Sequence, residues 1–258
     1  MSLYFPKRKD VKLSNSPLIE VIAQIRFPTI LKIAEKQPSD FQEAVRARFP
    51  EFEIEQGIRI GIDIQDQKPP VAQAKPRSYK FISMDSQNLI TLAIDFVALT
   101  TKNYEHWRSF NKDLQLAYKA IQDIYKPSYA SRIGLRYINE LTLGGMNLET
   151  MEEMCNILRP ELTSSLRSEG WSNPEEMINR LSLKDGGDKF TITTGYKQDA
   201  QTFLLDFDMY SEGKTHFKGI IKTYQRYHDK IYDAFRWCIM DENLSVFNPQ
   251  KLEKKETK

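Results

Sequence analysis

The residues best equipped for chemistry in this chain are strand-like acids, three histidines and two arginines in similar surroundings. Asp206 and Asp208 have the i, i+2 spacing that puts two carboxylates on one strand face, and Asp63 and Asp95 lie in other apolar runs. Converging with a lysine or a further acid, such carboxylates could hold divalent cations for phosphodiester hydrolysis. The simpler reading is acids on the solvent face of half-buried strands. His106 and His216 each stand just before or at the start of a long helical pattern; His228 lies within one. The first two are candidates for a symmetric pair around a pseudo-twofold, or merely polar residues at helix N-termini. Arg26 and Arg136 share one sequence context, Ile25-Arg26-Phe27 and Leu135-Arg136-Tyr137. On one sheet face they could grip an anionic group. Pairing with Glu20, Glu140, Asp95 and Asp206 inside the fold is the favoured alternative. Gly134, between Arg132 and Arg136, leaves room at the strand surface for something to approach closely.

The usual catalytic signatures are absent. HExxH, CxxC and HxH spacings do not occur, so a structural zinc site is not expected. GxxxxGK[ST], GxGxxG and GxSxG are missing too; Gly144-Gly145 and Gly186-Gly187 read as turns, the second a hairpin requiring positive φ. Cys155 and Cys238 lie on apolar helical stripes and read as small buried hydrophobes. No catalytic residue, metal ligand or cofactor is therefore assigned, and the balance leans against an enzyme. With 37 basic and 35 acidic residues the net charge is +2, too small to draw the whole protein onto nucleic acid or a membrane. The first ten residues lack a signal-peptide core and no stretch of about 18 apolar residues exists, so a cytoplasmic protein is expected.

The elements that must carry these residues come as a repeat. Arg26 matches Arg136, Lys80-Phe81 matches Lys189-Phe190, Asp95-Phe96 matches Asp206-Phe207, and Trp107 matches Phe217, at offsets of 109 to 111 and in the same order. Period-2 apolar patterns predict strands at 18–27, 54–64, 79–84, 89–100, 129–143, 178–183, 189–196 and 202–210. Residues 66–78, with Pro69, Pro70 and Pro76, read as a loop, and Ser39 as the cap of a short helix stopped by Pro50. Residues 148–168 read as a helix broken at Pro160. Stripes beginning at Trp107 and Phe217 predict two long amphipathic helices. The expected fold is α+β: a tandem duplication of a β-α-β-β-β-α unit, with mostly antiparallel sheets, joined in one version into a continuous curved sheet, covered by the two helices. The expected limits are a flexible arm at 1–16, units at 17–127 and 128–247, and a disordered tail at 248–258.

Pro-Leu-Ile-Glu-Val at 17–21, Tyr-Lys-Phe at 79–81, Tyr104 with Trp107, and above all Gly-Leu-Arg-Tyr-Ile-Asn at 134–139 resemble a sporadically distributed prokaryotic family of about this length. The resemblance covers roughly 17–143 by motif. That family carries no assigned activity, so no site is transferred. Its scattered occurrence resembles that of genes on mobile elements, including defence and toxin–antitoxin cassettes. The resulting expectation is a non-catalytic binding or regulatory protein with a protein partner or a homodimer. The alternatives are a nucleic-acid binder using the sheet face, or a nuclease using the strand acids or a histidine. The candidate binding residues are Arg26, Arg136, Tyr137, Asn139, Tyr79, Lys80, Tyr104, His106 and His216.

Overall fold

The structure is a computed structural model describing residues 3–8, 11–61, 71–171 and 174–250. The chain is α+β. Its strands are β1 (Lys12–Leu13), β2 (Leu18–Arg26), β3 (Glu51–Gly61), β4 (Val71–Ile82), β5 (Asn88–Ala93), β6 (Phe96–Thr101), β7 (Ala130–Thr142), β8 (Glu176–Asp185), β9 (Asp188–Lys197), β10 (Thr202–Thr215) and β11 (Pro249–Gln250). The helices are α1 (Leu31–Glu35), α2 (Ser39–Val45), α3 (Trp107–Ile124), α4 (Leu143–Met146), α5 (Met151–Ile157), α6 (Pro160–Thr163) and α7 (Ile220–Cys238). Nine strands form a mostly antiparallel sheet in the order β3-β4-β5-β6-β2-β7-β10-β9-β8.

The chain divides into two compact units. One comprises Met1–Val21, Leu135–Ser211 and Lys222–Lys258; the other comprises Ile22–Gly134 and Glu212–Ile221. β2, β7, β10 and α7 are thus each divided between the units, which the limits 17–127 and 128–247 do not capture.

In the unit built on residues 22–134, α3 is amphipathic and buries Phe110, Leu114, Ala117, Ala120 and Ile121. The core also holds Phe41 and Phe81, with ring centroids 5.1 Å apart, and fully buried Ile90 and Leu92. This unit differs from the expected order. The run Leu89–Thr100 is broken into β5 and β6 by a tight turn at Ile94-Asp95, and an extra helix α1 precedes α2. Ser39 is the first residue of α2 and not its cap; Pro38 takes that place. Residues 71–78, expected as loop, belong to β4. The register shifts between Glu55 and Gly57, so two residues, Pro76 and Arg77, face the single residue Gln56. A bulge tolerates a proline that cannot donate to a ladder.

In the other unit, α7 buries Tyr224, Tyr227, Ile231, Ala234 and Cys238. Phe190 and Phe207, stacked at 6.1 Å, belong to the same core. Between β7 and β8 lie the short helices α4, α5 and α6, and β8, β9 and β10 are followed by α7. The helical stretch after β7 is broken before Pro160, which opens α6, where its missing N–H is harmless. Gly144-Gly145 lie inside the short helix α4, with the Gly145 N–H donating to Thr142 Oγ1 at 3.0 Å, and not in a plain turn. The segment expected as a loose amino-terminal arm has defined contacts here. Phe5 packs on Phe190 and Trp237, Arg8 pairs with Asp241 at 2.7 Å, and β1 pairs with β11.

Candidate functional site

The strand arginines meet carboxylates, the alternative favoured from sequence. Arg26 Nη2 lies 2.6 Å from Asp95 Oδ2, with both side chains partly exposed. In the other unit Arg136 makes a two-pronged pair with Asp206, 2.8 Å from Nε to Oδ1 and 2.6 Å from Nη2 to Oδ2. The Asp206 side chain is 10% exposed and that of Arg136 45%. Hydrogen bonding to this carboxylate holds the Arg136 guanidinium firmly charged. The residue that approaches Gly134 is Arg132: a Cβ at position 134 would collide with the Arg132 guanidinium. The space seen in the sequence is filled from within the chain.

The remaining candidates do not gather in one place. Tyr79 is fully buried and stacks at 6.2 Å on Phe52, so it is a core residue and cannot offer its ring to a ligand. Lys80 points to the opposite side of β4 and pairs with Glu55 at 3.4 Å. Tyr137 and Asn139 are buried on the side of β7 away from Arg136. Tyr137 shares a 2.8 Å hydrogen bond with His228 Nδ1, and the Asn139 amide donates to the Leu205 carbonyl at 3.1 Å. Burial pushes His228 down to about 4, so at neutral pH the ring that shares this bond with Tyr137 is uncharged.

Tyr104 and His106 do come together, in a small polar cleft of about 100 Å³ beside the start of α3. His106 is the N-cap, its Nδ1 accepting the Ser109 N–H at 3.0 Å. Arg48 in the same cleft is held by both oxygens of Asp113 at 3.1 to 3.2 Å. His216 is not its counterpart: α7 begins four residues later at Ile220, and both histidines fall in the same unit. The acids do not converge either. Asp63 lies outside the described residues, and Asp95 and Asp206 are engaged by arginines. No group of three or more His, Cys, Asp or Glu able to hold a metal ion occurs among the described residues.

The surface the sequence reading missed is β8. It ends the sheet order, and among the described residues its ladder runs to β9 alone. Seven of its ten residues are exposed, including Ile178 at 67% and Leu181 at 55%, on opposite faces of the strand. An open strand edge with apolar side chains on both faces is a template for another strand. The β8–β9 hairpin adds a charge pattern. Across Gly186-Gly187, Asp185 faces Asp188 and Lys184 faces Lys189. The two acids turn toward α7, where Asp188 takes Arg226 and the Tyr227 hydroxyl, and Asp185 takes Lys230. The two lysines turn to the other side, the side that also carries Arg180 four residues back along β8. Thr191, on that side too, is 4% exposed, with an Oγ1 that lacks a hydrogen-bond partner among the described residues. The palindrome Lys-Asp-Gly-Gly-Asp-Lys at 184–189 was the available signal: a two-residue turn with strand alternation sends its lysines and acids to opposite faces.

No protein-family model matches the chain, and no curated protein does. Among solved structures, the comparison returns the S. pombe Pct1 RNA triphosphatase in complex with the Spt5 CTD. It is 8% identical and covers 96% of this chain and 93% of that one, at a TM-score of 0.14. A score of that size is not a likeness of fold.

Proposed function

We propose that this is a non-catalytic binding protein that docks a protein partner, or a second copy of itself, along the open edge of β8. The carrying observation is a ten-residue strand, open on one side, that exposes Ile178 and Leu181. The resemblance carried by Gly-Leu-Arg-Tyr-Ile-Asn at 134–139 supports a prokaryotic partner subunit from a mobile or antiviral-defence locus, acting in the cytoplasm. A tandem duplication of the scaffold belongs to the same proposal. Its support is that Arg26–Asp95 and Arg136–Asp206, matched in sequence at offsets of 110 and 111, are both ion pairs at 2.6 Å.

The test is a double change, Ile178→Glu with Leu181→Lys. Both side chains are exposed, so the melting temperature should stay within a few degrees of the parent. Co-purification of a partner from the native cell, or a light-scattering mass of two chains, should be lost. Retention of the same complex by the variant would overturn the assignment to β8.

A second reading, binding of single-stranded nucleic acid, is favoured by one feature. Lys184 and Lys189 stand directly opposite each other, both exposed, on one side of the hairpin. It predicts retention on single-stranded DNA at low salt that falls when both lysines become glutamine. Equal retention of parent and variant would remove it.

A further inference from the structure

A cavity of about 450 Å³ lies among the helices after β7 and the end of β9, apart from the β8 edge and from every candidate considered so far. That volume is in the range of small-molecule sites. Met151, Leu166 and Pro174 give it apolar walls, and Arg167, Tyr196 and Glu152 supply the polar groups. Arg167 is tethered by Nε to Thr163 Oγ1 at 3.2 Å, and it lines the cavity together with Cys155. Among the described residues it has no carboxylate partner. Tyr196 is 7% exposed, and burial pushes its hydroxyl up. Cys155 at the wall is 4% exposed and burial likewise raises its thiol, so it is a neutral lining group and not a nucleophile.

A tethered, exposed guanidinium and a tyrosine hydroxyl, both at one cavity, are two donors side by side. Both ask for oxygen acceptors. We propose that this cavity binds a small organic monoanion, a carboxylate on an apolar body. The carboxylate pairs with Arg167 and accepts from the Tyr196 hydroxyl, and the apolar body lies against Met151, Leu166 and Pro174. Glu152 sets the charge limit: an exposed carboxylate at the rim repels dianions such as phosphate and leaves room for one negative charge. The site is independent of the partner proposal, since none of its lining residues lies on β8.

The experiment is calorimetric titration of the full chain at neutral pH with octanoate, phenylacetate and inorganic phosphate. One carboxylate probe should bind saturably at one site, and phosphate at least tenfold more weakly. Arg167→Gln should weaken the carboxylate about ten- to hundredfold, and Tyr196→Phe several-fold. Both variants should keep the parental far-UV spectrum, since Arg167 is exposed and the second change is nearly isosteric. No saturable heat at millimolar probe, phosphate binding as tight as carboxylate, or parental affinity in Arg167→Gln would each overturn the proposal.

Discussion

Arg26–Asp95 and Arg136–Asp206 are alike in sequence and distance, but differ in what surrounds them, and burial decides their worth. At the first pair both partners are close to a third exposed or more, 47% and 31%, so water already solvates the charges; Arg26→Ala should cost less than about 1 kcal/mol. Asp206 keeps only 10% of its side chain exposed, so Arg136→Ala strands a nearly buried carboxylate and should cost about 3 kcal/mol. Urea denaturation of the two variants side by side measures the contrast, and equal losses would contradict it. The sequence could suggest the partners because matched arginines recur with matched aspartates. It could not rank them, because burial is a property of the neighbours. His228 shows the same limit, since nothing in its sequence context foretold a ring held neutral beside Tyr137. Its folded value of about 4 lies below the ordinary 6.5, so the unfolded chain takes up the proton first. The stability His228 supplies is whole above pH 6.5 and is lost as pH falls toward 4, by up to about 3 kcal/mol. His228→Gln should flatten the stability–pH curve in that window, and an unchanged curve would show that other groups cause the loss.

At the scale of elements, the β8–β9 hairpin depends on its turn. Gly186 has φ +62° and open space around it, whereas Gly187 is equally unobstructed without a positive φ. The two glycines therefore separate conformational cost from steric cost. Gly186→Ala should destabilise by about 1 to 2 kcal/mol, and Gly187→Ala by no more than about 0.5 kcal/mol. Thermal unfolding distinguishes them; similar shifts would mean the turn does not need its left-handed residue. This turn was legible because paired glycines between apolar alternations leave few other conformations. The β5–β6 turn was hidden for the opposite reason: Ile94-Asp95 continues an apolar run, so periodicity passed through a reversal made by the backbone. The exposed faces of β8 were hidden because Met177, Ile178, Leu181 and Leu183 look like core, and only the sheet order reveals that β8 is an edge.

For the whole molecule, the repeat suggests halves that could be cut apart, and the compact units show why a cut should fail. A break after Pro127, beside Lys126 with its positive φ, falls in a loop and is sterically harmless. Yet a fragment of residues 17–127 would lack Ser128–Gly134 and Glu212–Ile221, both integral to its unit. The second segment supplies the Phe217 carbonyl that accepts the Tyr118 hydroxyl at 2.7 Å, and the Phe217 ring that stacks on Tyr118 at 6.0 Å. Without it a face of α3 is bared, and an amphipathic helix that cannot bury its stripe loses most of its stability. Residues 128–258 alone would in turn lack Met1–Val21, with Phe5, β1 and the first residues of β2. Each fragment expressed by itself should therefore show no cooperative melt. The complementary pieces 1–127 and 128–258 expressed together should co-purify as a nicked protein with a single far-UV spectrum close to the parent's. A fragment 17–127 that folds cooperatively alone would show that this stretch is self-sufficient and that the exchanged segments are accessory.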